Sequence, residues 1–165
     1  MRLVKLVIIS LLVLSVIVTG ISALFPSTVI VSRVVEVKAS SAQIAYYVSD
    51  LDHWSAWTSD WKENKVTQID NGVSIGTQNI RHLSKTDSAV VYEWIATGQR
   101  PYQVQFEWIN LSGGVYAIHW SFEQHVKWYP WEKFQTLLNE KVLGAKMEIE
   151  LANLRETLLN DTEKQ

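Results

Sequence analysis

Few groups in this chain are placed to do chemistry. There is no cysteine, which removes thiolate nucleophiles, thiolate metal sites and disulfides. The histidines are His53, His82, His119 and His125. They form no HxH or HExxH pattern, and His119 and His125 flank a strand-like segment, so no metal set is expected. GxSxG, P-loop and GxGxxG patterns are absent as well. Carboxylates are plentiful, but none stands inside an apolar run as a perturbed acid or base would. Glu93, Glu107 and Glu123 alternate with aromatic residues and face away from them. No catalytic residue and no cofactor are assigned. Two polar side chains remain eligible for an interior. Arg33 shares a strand face with Val31, Val35 and Val37, from which it could pair with a carboxylate or phosphate in a cavity. An arginine in that position more often sits at a strand end and reaches solvent. His82 lies where the strand register is ambiguous; a satisfied or exposed histidine is its ordinary role.

What the chain has in excess is aromatic surface: eight Trp, six Tyr and four Phe in 165 residues. An indole needs a large core or a roomy cavity, and its N–H needs a partner. Tyr92, Trp94, Tyr102, Phe106, Trp108, Tyr116, Trp120 and Phe122 could line a ligand pocket or form a packed core. Trp54 and Trp57, three apart, share one side of their segment and could gate the mouth of a cavity or plug one end of a core.

These rings must be positioned by strands. Thr28–Lys38 is rich in β-branched residues and reads as the first. Ala39-Ser40-Ser41 supplies an N-cap, and Ala42–Asp50 places Ile44, Tyr47 and Val48 at helical spacing. Leu51–Trp61 reads as a second, irregular helix or turn. The period then changes to two. Strands are expected over Lys65–Asp70, Ile75–Leu83, Ser88–Ala96, Tyr102–Ile109 and Val115–Gln124, with Asn71-Gly72, Ser112-Gly113-Gly114 and similar turns between them. Short turns between consecutive strands give an antiparallel meander with one aromatic and one polar face. The aromatic face needs a cover, and the long helix predicted from Pro130 to Leu159 is the element that can supply it.

That helix carries two apolar stripes. Trp131, Phe134, Leu138, Val142, Ala145 and Ile149 form one; Leu143, Met147, Leu151, Leu154 and Leu158 form another, nearly opposite. The first contributes Phe134 and Leu138 to the expected cavity lining. Gly144 lies where the stripes trade over. Burial on two sides or a kink at Gly144 would each account for this, and the kink is the expectation. Just before the helix, Trp128, Tyr129, Pro130 and Trp131 could form an interfacial aromatic patch or cover the helix start.

At the other end, Leu6–Phe25 is an uncharged apolar run, and 20 helical residues rise about 30 Å, the thickness of a bilayer core. A cleaved signal peptide is the competing reading. Its apolar core is ordinarily shorter, about 7–15 residues, and Ile21 makes a poor cleavage site at Ala23. Residues 1–26 are therefore read as a transmembrane anchor, 27–160 as one domain and 161–165 as a frayed tail. Arg2 and Lys5 precede the span, which places the N-terminus in the cytoplasm and the domain outside. All 17 acidic residues but only 13 of the 15 basic ones follow the span. A mildly acidic domain with dispersed charge excludes nucleic acid as the expected partner and offers no polybasic lipid patch.

The order of elements resembles the START-like superfamily, also called SRPBCC or helix-grip, and within it the polyketide cyclase/dehydrase-like, lipid-transport-like members. VSRVVEVKASSAQIAYYVSDLDHWSAW is similar to that family's opening strand, helix start and Asp-Leu-x-x-Trp-x-x-Trp turn; GAKMEIELANLRETL is similar to its closing helix. The resemblance covers residues 27–160. Two departures stand out: Ser40 where the family has Pro, and Glu150 where it has Gly. The resemblance implies an α+β helix-grip fold: a curved antiparallel sheet of about six strands around a long C-terminal helix, two short helices after the first strand, and an apolar cavity between sheet and helix. Some bacterial members also begin with a membrane segment.

The function expected is a membrane-tethered, non-catalytic binding domain for a hydrophobic, lipid-like molecule. Two alternatives stand beside it: an enzyme of polyketide cyclase/dehydratase type, and an interaction module with a filled core. Oligomeric state is left open.

Overall fold

The computed structural model describes residues 2–24, 27–98, 100–126 and 129–162, and of residues 2, 23, 130 and 132–139 the backbone alone. Helix α1 (Arg2–Ala23) leads into strand β1 (Thr28–Lys38). Helix α2 (Ser41–Ser49), a 3-10 helix at Leu51–Ala56 and the five-residue helix α3 (Ser59–Glu63) follow. Six more strands come next: β2 (Val66–Ile69), β3 (Gly72–Ile75), β4 (Gln78–Lys85), β5 (Ala89–Ala96), β6 (Tyr102–Ser112) and β7 (Val115–His125). Helix α4 (Pro130–Thr162) closes the chain. The fold is α+β, a helix-grip arrangement. Its seven antiparallel strands run in the order β1-β7-β6-β5-β4-β3-β2.

The strand beyond the six expected is β3, of which the expected Ile75–Leu83 held only Ile75. Gly76 has φ +57° and breaks the run, so Ile75 ends β3 and Gln78 begins β4. Gly72 at the start of β3 is required by close approach: a Cβ there would lie 1.9 Å from the Ile80 carbonyl oxygen. Irregular register between His82 and Ser84, and between Asn110 and Ser112, interrupts two ladders at points where strands bend.

The aromatic faces of β5, β6 and β7 point inward, as their period requires. Val90, Tyr92, Trp94, Val104, Phe106, Trp108, Ile118, Trp120 and Phe122 are buried in one core with Met147, Leu151, Leu154 and Leu158 of α4. The second stripe of α4 is thus the covering one. Of the first stripe, Trp131, Val142 and Ile149 are exposed, and the side chains of Phe134 and Leu138 lie outside the described residues. The helix is continuous through Gly144, and among its described side chains the second stripe is the buried one. Gly144 has a different reason: a Cβ at that position would meet Arg33 Nη2 at 2.1 Å. The arginine lies across the helix at that point and bonds Glu148 one turn on, Nε to Oε1 at 2.6 Å.

Helix α1 contains a 20-residue apolar stretch, Leu3–Ser22, long enough to cross a membrane and with its surface outside the folded core. The Val126 N–H donates to the Ser27 carbonyl at 2.8 Å, so the chain entering α4 passes beside the chain leaving α1.

Candidate functional site

Helix α2 begins with a capping box. The Ser40 hydroxyl accepts from the Gln43 N–H, and the Gln43 side chain accepts from the Ser40 N–H. At its other end, carbonyls with no helical partner are satisfied by side chains that follow in sequence. Tyr46 C=O meets His53 Nδ1 at 2.9 Å, Tyr47 C=O accepts from Trp57 Nε1 at 3.2 Å, and Val48 C=O accepts from Trp54 Nε1 at 3.2 Å and the Tyr92 hydroxyl at 2.9 Å. This explains the spacing of Trp54 and Trp57. Both are fully buried, and each plugs the core while terminating α2. Burial, and to a lesser extent the Asp50 charge, raises the pKa of Tyr92 far above the ordinary tyrosine range. Trp108 is satisfied in the same manner, Nε1 to the Ser41 hydroxyl at 2.8 Å.

Beside this packed region a cavity of about 110 Å³ opens between α3, the sheet and α4. Trp54, Thr58, Asp60 and Trp61 line it from the 3-10 and α3 side, Gln78, Trp94, Tyr102, Trp120 and Phe122 from the sheet, and Leu143, Lys146, Met147 and Glu150 from α4. Ring contacts weld the wall together: Trp54 to Trp61 at 5.0 Å, Trp54 to Trp94 at 6.2 Å, Trp94 to Phe122 at 5.3 Å and Trp120 to Phe122 at 5.4 Å. For scale, an engineered apolar cavity of roughly 150 Å³ admits benzene. The space is the size of a ring, well below the roughly 300–1,000 Å³ of pockets that enclose a whole drug-sized ligand.

The indole N–H groups of Trp61, Trp94 and Trp120 are buried and have no hydrogen-bond partner among the described residues. All three tryptophans line the cavity. A buried donor left unpaired ordinarily costs about 1–3 kcal/mol, and three around one cavity stand in contrast to Trp54, Trp57 and Trp108, each of which is paired. Tyr102 lines the cavity too; burial, with the Asp60 carboxylate adding to it, pushes its pKa from about 10 up to about 12.

The charged groups of the cavity latch α3 to α4. Lys146 Nζ donates to both Asp60 carboxylate oxygens at 2.6 Å. Glu150, only 2% exposed, accepts from the Ser59 backbone N–H at 3.1 Å, from the Ser59 hydroxyl, and from Asn153 Nδ2 at 3.5 Å. Thr58, the N-cap of α3, makes no side-chain capping bond. Glu150 supplies the cap from another element, and its charge suits the helix N-terminus. No carboxylate was expected at the cavity; Glu150 is there because its side chain is long enough to reach from α4 to the start of α3.

The sequence-derived lining residues fall into four groups. Trp54, Trp94, Tyr102, Trp120 and Phe122 come together at the cavity. Trp57, Phe106 and Trp108 pack away from it in the core, as does Tyr92, which contacts Trp54 edge-on at 5.3 Å. Tyr116 is half-buried, and its hydroxyl accepts from Asn110 Nδ2 at 3.3 Å. Phe134 and Leu138 lie outside the described side chains. Neither polar candidate lines the cavity. Arg33 binds β1 to α4 through Glu148, and His82 sits edge-on to Tyr92 at 5.4 Å. The residues that sequence reasoning missed are chiefly Asp60, Trp61, Lys146 and Glu150. Trp61 had a local signal, following Trp57 by one helical turn; the other three meet only through the fold. Of the aromatic patch before α4, Trp128 lies outside the described residues; Tyr129 and the exposed Trp131 stack at 4.8 Å. No group of three or more metal-ligating side chains occurs among the described residues.

No family model matches the chain, and no curated protein matches it. Solved structures do match. The di-domain ARO/CYC StfQ from the steffimycin biosynthetic pathway aligns over 82% of this chain at 11% identity and TM-score 0.61; the chain spans about half of that protein, 52%. A protein of unknown function from Staphylococcus aureus aligns over 82% of this chain and 98% of its own, at 14% identity and TM-score 0.61. A protein from Thermobifida fusca aligns over 77% and 91%, at 17% identity and TM-score 0.59. At such identities the shared property is the helix-grip fold.

Proposed function

We propose that this protein is a membrane-tethered binding domain for a hydrophobic small molecule, held without chemical conversion in the cavity between sheet and α4. The observation that carries the reading is the ring-sized, aromatic-walled cavity beside an otherwise packed core. Removing apolar ligand surface from water at about 25 cal/mol per Å² drives binding, and the cavity's size limits occupancy to a ring or to the end of a longer molecule. Tethering by α1 would hold the cavity where such molecules partition, with the N-terminus cytoplasmic and the domain outside. The test is to purify the full chain from native membranes and identify co-purifying small molecules by mass spectrometry. A recurrent apolar compound, lost in a Trp94→Arg variant that fills the cavity with a charge, is the expected result. Detergent alone, or nothing, across several preparations would refute the reading.

A second reading is an enzyme of cyclase or dehydratase type. It is favoured by Glu150, a buried carboxylate on the cavity wall, and is in keeping with the ARO/CYC description of StfQ. On this reading the co-purified ligand, incubated with the protein, loses water, and Glu150→Gln retains binding while abolishing that loss. A ligand of unchanged mass supports simple binding.

A further inference from the structure

We propose that the cavity selects an uncharged molecule whose ring-sized apolar part carries an oxygen acceptor, received by the indole N–H groups of Trp61, Trp94 and Trp120. This rests on the binding reading above and adds the ligand's polar chemistry. The argument begins with which donors are paired. Trp54, Trp57 and Trp108 spend their N–H groups on Val48, Tyr47 and Ser41. Trp61, Trp94 and Trp120 come from three different elements, α3, β5 and β7, and all line the cavity with donors unpaired among the described residues. A ligand of pure hydrocarbon leaves them so. One bearing a carbonyl, ether or hydroxyl oxygen satisfies at least one.

Charge decides the rest. The ionisable side chains on the wall, tyrosine aside, are Asp60, Glu150 and Lys146. Lys146 is already held by both Asp60 oxygens, and Glu150 is held by Ser59 and Asn153. An anionic ligand would meet two carboxylates against one engaged ammonium. An ammonium or guanidinium carries donors and no acceptor, so it would leave the three indole donors unpaired. An uncharged acceptor fits both constraints.

The experiment uses the full chain in phosphatidylcholine nanodiscs with 15N-labelled tryptophan, the indole resonances being assigned by single Trp→Phe variants. Three ring-sized probes are titrated on a free aqueous concentration scale: acetophenone, ethylbenzene and benzoate. Acetophenone is expected to move at least one of the Trp61, Trp94 and Trp120 indole protons saturably to lower field. The Trp54, Trp57 and Trp108 signals serve as internally bonded controls. Ethylbenzene should bind about fivefold more weakly, as the loss of one hydrogen bond predicts, and without the low-field displacement; benzoate should not bind. Trp94→Phe keeps a ring and removes a donor, so it should narrow the acetophenone preference. Trp61→Phe on α3 provides the same test should β5 not tolerate the change, the control signals reporting a native fold. Equal affinity for acetophenone and ethylbenzene, or benzoate binding as tight as acetophenone, overturns the donor assignment and leaves the binding reading standing. Absence of a saturable shift with all three probes overturns both.

Discussion

Arg33 and Gly144 explain each other. The guanidinium occupies the space that a side chain at 144 would take, and from there it reaches Glu148. The pair is largely wet, with side-chain exposures of 31% and 63%, so its worth is that of a surface ion pair, about 0.2–1 kcal/mol. Replacing a mid-helix glycine by alanine gains about 1 kcal/mol in propensity. The two effects nearly cancel. Gly144→Ala alone is expected to leave stability within about 1 kcal/mol of the natural protein by urea unfolding. In an Arg33→Ala background, where the guanidinium no longer lies over the glycine, the same change should stabilise by about 1 kcal/mol. A destabilising effect in both backgrounds would show that Gly144 serves the helix itself. Trp54 is the opposite kind of residue: fully buried, ringed by Trp57, Trp61, Tyr92, Trp94 and Phe106, and capping α2. Trp54→Ala is expected to cost about 3–5 kcal/mol, read as a drop in the denaturation midpoint.

The short elements are held by partners that differ in how legible they were. Helix α2 carries its own cap, and Ser40 is its working part. Ser40→Ala should cost about 1 kcal/mol. Helix α3 has no cap of its own; Glu150 provides it from 91 residues away. Glu150→Ala is therefore expected to cost about 1–3 kcal/mol and to accelerate amide exchange across residues 59–63 more than in α2. Uniform acceleration, or none, would contradict a local latch. The hydrophobic period placed β1 and the inward faces of β5 to β7 correctly, because each strand is half buried and its alternation survives in the residue order. It missed β3 apart from Ile75, because a four-residue strand between the turns at Asn71 and Gly76 leaves little trace. It assigned α4 two covering stripes, since periodicity reports which residues are apolar and not which of two apolar sides meets the sheet.

At the scale of the whole molecule, tyrosines buried in the core set the alkaline limit. Tyr102 ionises at about 12 in the folded chain and at about 10 when unfolded. Between those values the unfolded state has released a proton that the folded state retains, so stability falls as pH rises; below about 10 the contribution is fully present. Tyr92, shifted in the same direction, adds to the loss. Thermal midpoints should decline from pH about 10 upward, and Tyr102→Phe should flatten that limb; an unchanged slope would mean that Tyr102 ionises freely. Helix α1 gives a second test at this scale. The full chain is expected to stay with membranes after alkaline carbonate extraction, and its release into the supernatant would argue against tethering.

By itself the sequence determined the elements and their faces: the strands with rings to one side, the closing helix, the apolar N-terminal helix and the absence of a nucleophile or metal motif. Those properties follow from neighbours in the chain. The tertiary structure alone decided that Trp54 and Trp57 stop a helix while Trp61, Trp94 and Trp120 keep donors unpaired among the described residues, and that a lysine and two carboxylates meet at the cavity. Pairing of a buried polar group depends on what lies within about 3 Å, and for these groups the chain brings that partner, or withholds it, from another element.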